Sequence, residues 1–294
     1  MRRDLDEALA RTDLPADTMA KIRLVRDVLD RDPQARLESF WIEGDRPYAV
    51  IAFGDPDAAD LVAYLLHGID TDLGQLPGWA DAAQRLCADV IRSCVVRGEP
   101  RSIATIAWFG WDSGTHATAL ATTHATLGAA RLSVDIDRLV ARNPRAHIAV
   151  VTYSYSSTLL GEMFALNLAG AIRTAVSIAS AGVTRAAGLA IEAAISDGSV
   201  EVYATEGAGD STAPLGRLGR HPVDPRELRG VTVYDCDGGE APGVDGSIVE
   251  GVGVEGHASQ TVVDDRGERH PGYFDAQGQG YLTLVSLLAD AATR

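Results

Sequence analysis

Apolar positions along this chain follow two spacings that take turns. Short runs at 48–53, 61–66, 103–108, 147–153, 175–179, 200–205 and 231–234 are rich in aliphatic and β-branched residues, as strands covered on both faces require. Between them lie longer segments whose apolar residues recur every three or four positions, the period of a helix with one buried face. These predict helices over 79–96, 115–142, about 156–166, 186–194 and 280–292. Strand and helix in alternation predict an α/β fold, a mostly parallel central sheet with helices on both faces.

Two regions stand outside that alternation. Residues 1–44 read as a helical N-terminal extension, with Met19, Ile22, Val25 and Leu29 on one face and Pro33 ending it. Residues 235–269 are acidic and glycine-rich and read as a lid or long loop. No repeat or linker divides the 294 residues, so a single domain over 1–294 is expected.

Composition narrows the function. A formal net charge of −15 argues against nucleic acid or an anionic membrane as partner, since both are bound by clustered Lys and Arg. No apolar run reaches the length of a membrane span. The first residues lack the apolar stretch of a signal peptide, and Cys87, Cys94 and Cys236 show no metal-ligand pairing. The expectation is a cytoplasmic enzyme acting on a small molecule without a cofactor; whether it forms a homo-oligomer is left open. Gly251-Val-Gly-Val-Glu-Gly256 spells a dinucleotide-binding pattern, but no helix pattern follows it.

Residues 147–161 carry the candidate chemistry. A buried strand meets a helix at Ser154, and a serine at such a corner holds its hydroxyl clear of the sheet. Thr152 and Ser156 stand where this kind of turn usually has glycine. A serine hydroxyl needs an imidazole to take its proton and a carboxylate to orient that imidazole. Ser154, Asp210 and His270 occur in the order Ser, acid, His. Ser156 and Ser157 compete for the first role, Asp235 and Asp237 for the second, and His257 for the third. Corner geometry favours Ser154, and position after the strand at 200–205 favours Asp210. His270 is preferred because it precedes the closing helix, whereas His257 lies in a glycine-rich loop. The oxyanion of an acyl-transfer intermediate needs two donors, expected from the N–H of Tyr155 and the N–H of Ile69, with Gly68 permitting close approach. His67 reads as a hydrogen-bonding support for that loop, and Trp111 as core or pocket wall.

At these residues the chain resembles the α/β-hydrolase superfamily, and within it the little-characterised actinobacterial serine hydrolases whose elbow reads G-H-S-Y-G-S. Tyr153-Ser154-Tyr155-Ser156-Ser157-Thr158 is similar to the S-Y-x-S-T part and departs at both glycines and at the histidine. Residues 63–71, ending His67-Gly68-Ile69-Asp70-Thr71, resemble a strand leading to P-G-M-G-T, and 106–112 resemble A-W-x-G-Y-D. Residues 216–225 are similar to a G-x-H-G-x-D-P stretch and 270–274 to H-x-x-Y-F. The resemblance spans about 48–292 and implies a serine hydrolase acting on an ester, thioester or related acyl bond through Ser154, Asp210 and His270. Acyl transfer or ring closure on the same residues, and a hydrolase-like binding protein without catalysis, are the alternatives.

Overall fold

The computed structural model describes residues 2–294. Two helices, α1 (Arg2–Leu9) and α2 (Ala16–Arg31), lead into an antiparallel hairpin of β1 (Ala35–Glu43) and β2 (Arg46–Phe53). Strands and helices then alternate: β3 (Leu61–Leu66), α3 (Leu76–Val96), β4 (Ile103–Phe109), α4 (Thr123–Arg142), β5 (His147–Tyr153), α5 (Ser156–Ala165), β6 (Ile172–Ile178), α6 (Arg185–Ser196) and β7 (Glu201–Thr205). A one-turn helix α7 (Ala213–Gly216) and the short β8 (Thr232–Val233) follow. Two small hairpins, β9 (Gly239–Pro242) with β10 (Ile248–Gly251) and β11 (Val262–Val263) with β12 (Arg269–His270), precede the closing α8 (Gln279–Ala292).

The eight main strands form one sheet in the order β1-β2-β4-β3-β5-β6-β7-β8. The pairs β1–β2 and β2–β4 are antiparallel and the others parallel. Every residue of β3 and β4 is buried, which explains their uninterrupted apolar spelling. Alternate side chains feed two cores. Leu61, Ala63 and Leu65 pack with α2, α3 and α8, while Val62, Tyr64 and Leu66 pack with α4, α5 and α6. The parallel strands therefore end together at one rim, where the turns after β3, β5 and β7 meet.

Three expectations need correction. The stretch 1–44 is helical only to Arg31; β1 occupies 35–43, and its register shift between Leu37 and Ser39 breaks the two-residue alternation that would have marked it. Helix α4 begins at Thr123, not at 115, because the carbonyls of Ala119 and Leu120 are captured by His221 Nε2 and the Arg220 N–H. The glycine-rich segment 235–269 is no featureless loop: it holds β9–β12, with Val254 N–H and Glu255 N–H bonded to Cys236 and Pro271 carbonyls.

Candidate active site

The corner after β5 is held in a conformation that few L-residues accept. Ser154 has φ +57°, in the left-handed region, which costs a non-glycine residue about 1 kcal/mol or more. Its neighbours enforce it. The Ser154 N–H donates to the Ile178 carbonyl at 2.9 Å, and the Ser154 carbonyl accepts from Ser157 Oγ at 2.7 Å. Ser180 Oγ then donates to Ser157 Oγ at 2.6 Å. The two residues in glycine's usual places fit because their hydroxyls find partners. Thr152 Oγ1 donates to Val176 O at 3.0 Å; Ser156 Oγ accepts the Tyr153 N–H at 2.8 Å and lies 2.8 Å from Tyr153 O and 3.1 Å from Leu66 O. Both are fully buried.

Ser154 Oγ lies 2.8 Å from Nε2 of His257, and Nδ1 of the same ring lies 2.7 Å from Asp210 Oδ2. The structure thus brings Ser154 and Asp210 together as expected, but not His270. His270 sits on β12 with Nδ1 2.7 Å from Glu255 Oε2, and its side chain is 37% exposed. That Glu255 contact raises its pKa. The reason for the exchange is a crossing of segments. Tyr273 and Phe274 donate their N–H groups to Ala258 and Ser259, so the segment after β12 runs alongside the His257 loop and presses that loop toward the rim. The Tyr153 hydroxyl donates to the His257 carbonyl, and the two rings lie 5.3 Å apart.

Asp210 is fully satisfied. Oδ1 accepts the N–H groups of Thr212 at 2.9 Å and Ala213 at 3.0 Å; Oδ2 accepts from His257 and, at 2.8 Å, from the Tyr273 hydroxyl. Burial pushes its pKa up, but the bonds from His257 and the Ala213 N–H outweigh burial and leave it below the usual carboxylate range. An ionised carboxyl only accepts, so Nδ1 of His257 carries the ring proton and Nε2 is left to accept from Ser154. Tyr273 was not singled out from sequence as a partner of the acid. The signal was its place in H-x-x-Y-F, where the tyrosine and not the histidine enters the site.

On the other side of Ser154 lies the turn after β3. A Cβ on Gly68 would stand 3.0 Å from Ser154 Cβ and 3.1 Å from the Tyr153 ring, so any larger residue would push the turn away from Ser154 by a few tenths of an ångström. Among the described residues, neither the Ile69 N–H nor the Tyr155 N–H donates to a protein acceptor. Thr71 Oγ1 donates to Ile69 O at 3.1 Å and fixes the turn. His67 is buried, with Nδ1 donating to Gly68 O at 3.0 Å; burial lowers its pKa to about 4, so the ring is neutral. Trp111 is no exposed pocket wall. It is 2% exposed and stacks behind Tyr155 at 5.9 Å.

Among the described residues, Asp264, Glu268 and His270 bring one ligand atom each within 4.8 Å of one another, on the exposed β11–β12 hairpin. None of the three touches Ser154. Among the described residues, no helix is long and apolar enough to cross a membrane.

A family model described as alpha/beta hydrolase matches residues 44–219, a span that holds Ser154 and Asp210 and ends before His257. No curated protein matches the chain. Solved structures resemble it remotely. An uncharacterised protein from Capnocytophaga ochracea DSM 7271 is 13% identical with TM-score 0.43, over 69% of this chain; the chain spans only 58% of that protein. A cold-adapted esterase from an Arctic intertidal metagenomic library is 11% identical with TM-score 0.41, over 70% of this chain and 85% of its own. TT1662 from Thermus thermophilus is 11% identical with TM-score 0.42, over 88% and 99%.

Proposed function

Because the chain belongs to the alpha/beta hydrolase family, we propose that it is a serine hydrolase cleaving an ester, thioester or related acyl bond through an acyl-enzyme on Ser154. The observation that carries this reading is the unbroken relay from Ser154 Oγ to His257 at 2.8 Å and on to Asp210 at 2.7 Å. His257 Nε2 takes the hydroxyl proton as Oγ attacks the acyl carbon, and the imidazolium that forms is stabilised by Asp210. The same proton is returned to the leaving oxygen or sulfur as the tetrahedral intermediate collapses. Water then enters, gives a proton to His257 and attacks the acyl carbon; as the bond to Ser154 Oγ breaks, His257 returns that proton to Oγ and the acid leaves. The N–H groups of Tyr155 and Ile69 hold the intermediate's oxyanion, with Gly68 keeping the turn close to Ser154; loss of one such donor costs on the order of 10²-fold in rate.

Leu120, Leu215 and Leu218 are exposed, 51%, 59% and 77% accessible. They lie on segments joined by the Arg220 N–H to Leu120 O bond, one touching the Tyr155 hydroxyl through Ala121 and the other following Asp210. Labelling by a fluorophosphonate tests the reading. Wild type and Ser156→Ala should label, and Ser154→Ala should not; a fully labelled Ser154→Ala protein would remove Ser154 from the chemistry.

A further inference from the structure

At the end of the sheet remote from Ser154, the amino ends of β5, β6 and β7 frame a cleft of about 860 Å³. Strand β5 separates the two places: seven residues from His147 to Tyr153, roughly 20 Å of extended chain. The protein carries a net charge of −15, yet this cleft is lined by Arg101, Arg145, Arg173 and Arg294 against two side-chain carboxylates, Asp60 and Glu201. Both carboxylates are engaged within the cleft wall, Glu201 by one of the four arginines. Asp60 accepts from the Ser102 N–H at 2.8 Å and the Ser102 hydroxyl at 2.7 Å, and Glu201 pairs with Arg294. Among the described residues, Arg145 and Arg173 have no ion-pair partner within 4 Å; Arg173 makes a single long contact, 3.4 Å to the Ser199 carbonyl.

A second hollow of about 280 Å³ adjoins the first, sharing Gly170, Ser199 and Val200, and is walled by Phe164, Ile172 and Ala190. One chamber is cationic; the other sets aliphatic and aromatic walls against Asn167, Asp197 and Ser199. Arginines suit planar, bidentate recognition of phosphate, and an annex with both apolar and polar walls suits an organic group attached to it.

We propose that this double cleft binds an organic phosphate, a small molecule with a phosphate or diphosphate group held by Arg145 and Arg173 and its organic portion seated in the annex. The site is separate from the proposed catalytic one, whose ligands enter at the carboxyl ends of the strands. The local field agrees. The half-buried His147 has its pKa lowered to about 4, first by burial and then by Arg294 and Arg173.

A structural reading of the same arginines is that they cap helix carbonyls at this end of the sheet, as Arg101 does toward Ala292 at 3.1 Å. Calorimetric titration separates the two. Inorganic pyrophosphate and ADP should each bind saturably, with Kd below about 1 mM at moderate salt, and ADP more tightly. Arg145→Ser with Arg173→Ser should weaken both by about tenfold or more, while ester turnover and the circular dichroism spectrum stay as in wild type. Ala190→Phe, which fills the annex, should weaken ADP and spare pyrophosphate. Absence of saturable binding, equal binding by the double variant, or acetate binding as well as pyrophosphate would each overturn the proposal. None of these outcomes depends on Ser154.

Discussion

Replacing Asp210 by asparagine changes one atom and inverts the hydrogen-bond logic around His257. The carboxylate now accepts four bonds, from Thr212, Ala213, His257 and Tyr273. An asparagine can keep its oxygen on the two backbone N–H groups only by turning its NH₂ toward His257. The opposite rotamer strips both backbone donors of their acceptor, a cost of about 1–3 kcal/mol for each buried group, so the first orientation wins. Nδ1 of His257 must then accept, its proton moves to Nε2, and the ring no longer takes the proton of Ser154. In a serine protease the equivalent change lowers kcat by about 10⁴, and a similar loss here corresponds to about 5 kcal/mol of barrier. Turnover of p-nitrophenyl acetate by Asp210→Asn, beside a thermal melt to establish folding, measures it. A folded variant retaining more than a tenth of wild-type kcat would refute the assignment of tautomer and role.

Other consequences follow from the same geometry. Ser156→Gly restores the residue usual at this turn but deprives the Tyr153 N–H of the Ser156 hydroxyl. It should lower stability by about 1–2 kcal/mol and Tm by about 2–5 °C; an unchanged or higher Tm would mean that the hydroxyl does nothing for the turn. His67 ties stability to pH. With its pKa depressed to about 4 by burial, the native state resists a proton that the unfolded chain accepts below about 6.5. Its contribution is therefore complete above pH 6.5 and declines by about 3 kcal/mol as pH falls to 4. His67→Phe should flatten that decline in urea melts at pH 5 and 7, leaving the share of the less deeply buried His147; an unaltered slope would contradict it.

How far the sequence shows this site depends on how local each feature is. The strand and helix around Ser154 are legible because a fully buried strand and a helix differ in apolar period within a dozen residues. Asp210 is legible from its place after β7. The base is not, because one histidine precedes the β11–β12 hairpin, another ends it, and both precede the closing helix. What selects His257 is the pairing of Tyr273 and Phe274 with Ala258 and Ser259, together with the Tyr153 hydroxyl on the His257 carbonyl. The last of these contacts spans 104 residues, and the others join segments outside any strand or helix, where no period marks them. β1 escapes for a related reason, its bulge shifting the alternation midway.

The central claim is that His257, and not His270, serves Ser154. Acyl-enzyme formation, followed as the burst of p-nitrophenol in stopped-flow with His257→Ala and His270→Ala proteins, tests it most directly. The account predicts a burst rate lower by about 10³-fold or more in His257→Ala and within about threefold of wild type in His270→Ala. A burst abolished in His270→Ala and preserved in His257→Ala would contradict it.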